Sequence, residues 1–590
     1  MKVLKVLLLV AGGIVMLIVL VIGIVAATFD PNKYKPEIVA AVKDKTGRTL
    51  AIEGNLGLSF FPSIGIALGK ASLSEPDSSR IFARVEQAKI SLALWPLLSK
   101  QVVVDRVTLS GLALDLVQSR GGKTNFEDLA GAAGSAPPAA GRKAAPQQGA
   151  MRLDIAGIDI RSSAIGWRDE SSGNRFKASV AEFKTGRIAS GVPGKLSLSA
   201  RVEATQPKAD LQIGLSGDYR LDLDKQSFVL SKLDLKISDG ASGSTAPPTS
   251  LQGNVEFDFS PQAIRFDLSV DQLNLDRYLP PPAKAGPSAA KASPGAGTPS
   301  AATSASRSEE AIDLSALKGL NLKGGLKIDR LVASNVKLEK VNLGMQAAGG
   351  RVEINPLSAS LYQGNLTGSA SVNANSNRLS IKGQLGGVAI GPLLRDALNN
   401  NLLEGRGSVA LEVQTGGATV SAMKKALSGN ASLALRDSSL KGVNLGELLR
   451  KARSLRGSSP PAEQGATPAE RTDFTELGAS FVIRNGVAHN DDLSAKSPLL
   501  RLAGSGDIDI GANSIDYLIK ASVVASSGGQ GGKELAELRG VTVPVKITGP
   551  LDAPRFRADL GAAVGDAVKQ RAEDKLKERA QDRLKNLLRR

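Results

Sequence analysis

The sequence predicts a mainly β protein, an elongated, twisted and curled antiparallel sheet forming a groove, with a transmembrane helix at its N-terminus and another helix at its C-terminus. Three observations carry this. The 24 residues from Val6 to Phe29 hold no charged side chain. Much of the chain beyond Asp30 alternates apolar and polar residues, the period of a strand with one wet face. The last thirty residues change to a helical period with a basic excess.

The run containing Val6, Leu17 and Phe29 is long enough to cross a bilayer, because about 20 apolar residues in a helix span roughly 30 Å. Lys2 and Lys5 precede it and Asp30 comes directly after it. The positive-inside bias then leaves the short N-terminus in the cytoplasm and carries the bulk across the membrane. Val25-Ala26-Ala27 offers small residues for cleavage, but the apolar stretch exceeds the roughly 7 to 15 residues of a signal peptide. An uncleaved anchor is therefore expected.

Composition narrows the rest. The 590-residue chain has no cysteine, so neither a disulfide nor a cysteine-linked lipid is available to it. Apolar residues make up 42% and aromatics 4%, which makes any buried surface aliphatic and leaves few platforms for stacking bases or sugars. The net charge of +17 is scattered along strand faces, so no nucleic acid is expected as a partner; an anionic membrane or envelope polymer suits it better, with simple solubility as the plain alternative.

Along the chain, Pro31 opens a helical pattern through Tyr34, Ile38, Ala41, Val42 and Lys45 that Gly47 stops. From Thr49 the period is two. In Val107 to Leu116 the apolar set moves from odd to even positions across Gly111, and it does the same across Gly157 in Leu153 to Ile160. A bulge or tight bend has this effect, since it turns a strand while keeping its apolar side on one face. An apolar-x-x-apolar-x-apolar spacing recurs at Val85-Ala88-Ile90, Leu230-Leu233-Leu235 and Val270-Leu273-Leu275, fitting either a serial repeat or a plain meander.

The expected organisation is a cytoplasmic tip and anchor at 1–29, a helix plus strands at 30–130, a low-complexity loop at 131–150, a β groove at 151–279 and a second loop at 280–308. A β groove with short helices comes next at 309–456, then a loop at 457–472, a β segment at 473–560 and a basic amphipathic helix at 561–590. The loops are rich in Ala, Pro, Gly and Ser and bury too little surface to order themselves; Asp239 to Ser250 reads the same way. Short helices are expected at Gly391 to Asn401, Val420 to Leu427 and Leu445 to Lys451. Strands are expected at Phe474 to His489, Leu499 to Ile510, Ile515 to Val523 and Val541 to Ile547. From Asp566 onward nine basic and five acidic residues flank a thin apolar stripe. Its Lys575, Arg579, Arg583 and Arg589 are candidates for docking at a surface, against the alternative of a solvated end helix.

No catalytic residue, cofactor site or metal site stands out. His489 is the only histidine and there is no cysteine, which together rule out multi-His and Cys zinc sites, and His489 closes the alternating run Phe481, Ile483, Val487. Ser527 to Glu534 imitates a phosphate loop but has Glu534 where Ser or Thr would bind magnesium. Asp222 with Asp224 and Asp507 with Asp509 alternate with apolar residues, as on the wet face of a strand. A two-carboxylate hydrolase is the weakest of the function classes.

Phe29-Asp30-Pro31-Asn32-Lys33-Tyr34-Lys35-Pro36, Thr46-Gly47-Arg48, Ile52-Glu53-Gly54, Phe61-Pro62, Trp95-Pro96-Leu97-Leu98 and Gly122-Lys123-Thr124-Asn125-Phe126 resemble the N-terminal region of AsmA proteins. Leu427-Ser428-Gly429-Asn430, Gly442-Val443-Asn444-Leu445 and Phe474-Thr475-Glu476-Leu477 are similar to the C-terminal third of that family. The resemblance implies a single-pass inner-membrane anchor, a periplasmic β groove related to chorein-type bridge lipid-transfer proteins, and a role in outer-membrane biogenesis and phospholipid trafficking. It implies no enzyme activity. Acyl chains sliding along an aliphatic face would each gain about 0.8 kcal/mol per buried methylene. Leu114, Leu116, Phe257, Phe259, Phe266 and Leu268 are the candidate groove residues, and an outer-membrane or envelope protein is a possible partner at the far end. The rival is a structural or regulatory periplasmic protein whose sheets bury their apolar faces against each other.

Overall fold

The computed structural model describes residues 30–59, 63–93, 104–129, 154–206, 208–240, 247–277, 311–442, 444–445, 447, 464–465, 467–498, 500–524 and 542–558. Among these are 31 strands and few helices, and the chain divides into two units, Met1–Gln272 and Leu273–Arg590. The anchor residues Val6, Leu17 and Phe29, and the basic residues Lys575, Arg579, Arg583 and Arg589, lie outside the described residues. Among the described residues no helix is long and apolar enough to cross a membrane.

Unit 1 opens with a 3-10 turn at Pro31–Tyr34 and the helix Lys35–Thr46, which ends where Gly47 takes φ +68°, a conformation that glycine adopts without strain. Two short ladders come next. One runs through Leu50–Ile52, Ala71–Ser74, Ile81–Val85 and Ala113–Gln118, and the other through Leu56–Ser59, Ser63–Leu68, Gln87–Ala93 and Val104–Ser110. Both merge on the strand Ile158–Asp169, whose start pairs with Val104–Ser110 and whose end pairs with Ala113–Gln118. These two pairings are parallel, a departure from the antiparallel sheet expected. In sequence, 119–157 separate Ala113–Gln118 from Ile158–Asp169, long enough for the crossover that a parallel pairing requires. From Ile158 to Asn274 the strands form an antiparallel meander.

The expected switch at Gly111 is present. Leu109 is opposite Ile160 and Leu114 is opposite Ile165, so an odd and an even residue share one face on either side of Gly111, which has φ +65°. The x-x spacing between Leu230 and Leu233 marks a bulge, with Lys232 at φ +51° and a register shift between those leucines.

Unit 2 continues with an antiparallel meander from Leu322–Ala333 to Ser428–Gly442, interrupted by the helices Ile390–Leu398 and Val420–Ala426. Both helices fall where the helical period predicts them. The C-terminal strands depart from expectation in two ways. The strand read as Phe474 to His489 is a hairpin, Thr467–Arg484 and Val487–Lys496, turning at Asn485 and Gly486 with φ +51° and +81°; Asn-Gly is the preferred pair for this turn. The loop read at 457–472 turns into strand from Gln464. There Gln464 and Gly465 pair with Phe556 and Arg555 of the last described strand. Through Gln464–Gly465 with Thr467–Arg484, and on through Val487–Lys496, Leu500–Asp509, Ser514–Val523, Thr542–Pro550 and Arg555–Ala558, the pairings therefore close into a ring. Leu500, Leu502, Tyr517, Ile519, Ala521, Val523, Val543, Val545, Ile547 and Phe556 fill it as a dry core.

Candidate functional site

The apolar face of the sheet in unit 1 is the feature that an ordinary core does not explain. Directly opposite residues share a face, so a row can be followed strand by strand. It runs Ala88, Leu109, Ile160, Phe183, Leu198, Leu215, Leu235, Leu251, Val270. Nine strands contribute one apolar side chain each. All are half-buried except Val270, which is buried. The strand Pro193–Thr205 shows the pattern clearly, exposed and half-buried residues alternating along its whole length.

The six candidate groove residues lie on this same face. Leu114 continues through Ile165, Ala178, Val202 and Leu211, and Leu116 through Trp167, Phe176, Ala204 and Ala209. Phe257 is between Phe228 and Ile264, Phe266 opposite Val255, and Leu268 opposite Gly253. Phe259, at a strand end opposite Gln262, is 41% exposed and meets Phe257 edge-on at 5.2 Å. At the N-terminal side exposure rises: Ile66 and Ile90 stand opposite each other at 58% and 54%.

The other face is polar and laced by cross-strand ion pairs. Arg201 grips Asp210 with Nε and Nη2 at 2.8 and 2.6 Å, and Arg265 reaches both Glu256 and Asp258. Hydrogen bonding by Arg265 holds the Glu256 carboxyl below the usual range. A cleft of about 610 Å³ on this side is lined by Lys177, Ser199, Arg201, Gln212 and Lys236. Its Arg201 is already paired with Asp210, and Lys236 with Asp234.

Sequence reasoning missed a buried cluster. The Arg48 side chain has no exposure, donates to both carboxylate oxygens of Asp128 at 2.6 and 2.8 Å and to the carbonyls of Asn125 and Ser74, and lies 4.4 Å over the Phe82 ring. Hydrogen bonding by Arg48 pulls the Asp128 carboxyl below its ordinary value. Asn125 in turn donates to Glu75 and to the Asp115 carbonyl while accepting from the Val117 amide. Two of the motifs that resemble AsmA proteins, Thr46-Gly47-Arg48 and Gly122 to Phe126, thus meet in one lock at the start of the sheet. Their joint presence was the available signal.

His489 is the third residue of its strand and places Nδ1 2.7 Å from Asp507 Oδ1, with both side chains more than half exposed. Among the described residues no group of three or more His, Asp or Glu is placed to hold a metal.

The sheet thus carries one extended apolar face that stays half-buried along most of its length. The chain belongs to the AsmA family, whose model matches residues 1–228 and again 224–493. It is 24% identical over 584 aligned positions to Protein AsmA of Escherichia coli strain K12, covering 91% of this chain and 90% of that one. No solved structure matches it.

Proposed function

We propose that this chain is a bacterial envelope protein of outer-membrane biogenesis whose apolar sheet face holds phospholipid acyl chains and lets them slide between membranes. The nine-strand row from Ala88 to Val270 is the observation that supports this. Its side chains are too wet for a finished core and too continuous for an ordinary surface. A methylene laid against them gains about 0.8 kcal/mol, and no bond is made or broken. In this reading the run with Val6, Leu17 and Phe29 anchors the chain in the inner membrane with its bulk in the periplasm. The basic residues Lys575, Arg579, Arg583 and Arg589 meet an anionic surface or an envelope partner.

A photoreactive residue placed at Leu198, Leu215 or Leu251 in the full chain should capture phospholipid in cells. The same residue at the exposed polar-face positions Ser199 or Gln212 should not. A folded protein that captures no lipid at any apolar position supports the structural or regulatory reading instead.

A further inference from the structure

One stretch of the sheet in unit 1 is turned inside out. In the ladder that runs from Leu56–Ser59 to Val104–Ser110, Gly65 pairs with Ser91 and both are buried. The adjacent pair, on the opposite face, is Ile66 with Ile90, and each of these is more than half exposed. Burial ordinarily sorts such residues the other way round, so two isoleucines left wet beside a buried serine mark a place for an apolar partner. Leu58 and Val107 extend the pair into a row of four strands. Beside that row, Leu68 pairs with Ala88, the first member of the row that ends at Val270. The links that leave this end of the ladder are apolar in sequence: Phe60-Phe61-Pro62 joins Ser59 to Ser63, and the link from Ala93 to Val104 begins Leu94-Trp95-Pro96-Leu97-Leu98.

The partner follows from where the ladder is tied. Asn32 holds its first strand from the side: Oδ1 accepts from the Leu56 amide at 2.9 Å and Nδ2 donates to the Leu56 carbonyl at 3.3 Å, the two bonds that a neighbouring strand would make. Asp30 in turn accepts from the Asn32 amide and side chain at 2.9 and 3.0 Å. The uncharged run of 24 residues ends at Phe29, and the three residues from there to Asn32 reach at most about 11 Å. Ile66 is one strand across from Leu56 and two residues along, a step of about 8 Å. The exposed pair is thus held near the end of the run. Lys33 and Lys35 flank Tyr34, and Tyr34 and Ile38 are both exposed. That combination suits a membrane interface, where a tyrosine ring sits among headgroups and lysines meet anionic lipid.

We infer that the Ile66–Ile90 pair is a membrane seat, a surface that rests in the phospholipid leaflet from which the anchor emerges. This builds on the proposed reading of the run with Val6, Leu17 and Phe29 as an anchor, and it goes further. A tether alone leaves the sheet free to swing clear of the bilayer, whereas a seated pair puts its isoleucines among the acyl chains. Since Leu68 and Ala88 stand next to the pair, the leaflet and the row from Ala88 to Val270 are then joined with no polar gap between them.

The test uses the full chain in vesicles of phosphatidylethanolamine and phosphatidylglycerol. The chain has no cysteine, so a single one at Ile66→Cys, Ile90→Cys or Lys89→Cys can carry a small environment-sensitive dye, and all three positions are exposed enough to be labelled without disturbing the fold. At positions 66 and 90 the emission should shift to the blue and be quenched several-fold by lipids spin-labelled high on the acyl chain. Lys89, on the opposite face of the same strand as Ile90, should show neither effect. Quenching at 66 and 90 no greater than at 89, in a chain that sodium carbonate does not extract and whose circular dichroism is native, overturns the seat and leaves the anchor standing. Blue-shifted emission that spin-labelled lipid fails to quench means that a second copy or another protein covers the pair, and overturns the seat as well. A chain that carbonate releases from the vesicles overturns the anchor and the seat with it.

Discussion

The apolar side chains of the meander in unit 1 and those of the closed ring in unit 2 come from strands of the same alternating pattern, yet they end in different environments. Leu198, Leu215 and Leu235 remain half-buried, whereas Leu500 is 2% exposed and Val543 and Val545 are not exposed at all. Closure makes the difference. A sheet folded into a ring packs its inner face against itself, and an open sheet needs a second layer, which the described part of the meander does not supply. Alternation therefore says that a face is apolar and leaves open what covers it.

The largest expected effect separates the two regions outright. Val545→Asp puts a charge with no partner into the dry ring, so that folding of the C-terminal strands should be lost, a cost of several kcal/mol or more. Leu215→Asp should leave a cooperatively folded protein. Urea unfolding followed by circular dichroism checks both, and similar losses in the two variants would erase the distinction. A milder form is truncation: Leu500→Ala should cost about 3 kcal/mol and Leu198→Ala about 1 kcal/mol, the cavity term being absent where the site is already open.

The Arg48 lock gives the next effect. Asp128→Ala leaves a fully buried guanidinium with only carbonyl partners and should cost about 2 to 3 kcal/mol, somewhat under the usual range for a broken buried pair because Asp128 itself is 34% exposed. The lock also has a defined acid response. The folded carboxyl titrates below the unfolded value near 3.9, so its stabilisation is present above that value and is lost as pH falls through the folded one. Thermal melting of unit 1 should be flatter between pH 5 and 3 in Asp128→Asn than in the native chain; an unchanged slope would place the acid sensitivity elsewhere. Smallest of all, Arg265→Gln removes ion pairs to Glu256 and Asp258 that are open to solvent on the polar face. The unfolding midpoint should stay within error and depend little on salt, and a marked drop would mean that such pairs hold the meander in register.

Much of the fold could be read from periodicity because it is local. The phase change at Gly111, the helices near Gly391 and Val420, and the strands around Leu500 and Ile515 all depend on neighbours in sequence. What escaped depends on distant partners. Nothing near Gln464 announces that it pairs with Phe556, and an Ala- and Pro-rich composition reads as loop until a partner strand supplies the hydrogen bonds. The parallel pairing of Leu109 with Ile160 is of the same kind. Asn485-Gly486 is a local signal, masked because the alternation of Phe481, Ile483, Val487 and His489 passes through the turn in phase. In the candidate site, alternation placed six residues on one face, while Arg48 was invisible because an arginine next to a glycine reads as solvent-facing until its acceptors come together.

The ring also bears on the order of assembly. Each hairpin of the meander joins strands that succeed one another, so it can form as soon as its second strand has been synthesised. The ring cannot shut before the chain is complete through Ala558, because its first strand waits for its last. Until then Gln464 and Gly465 carry unpaired backbone groups, an invitation to the wrong strand. Closure removes that invitation, and the C-terminal end becomes both the last part of the described chain to fold and the part least able to recruit a second copy edge to edge.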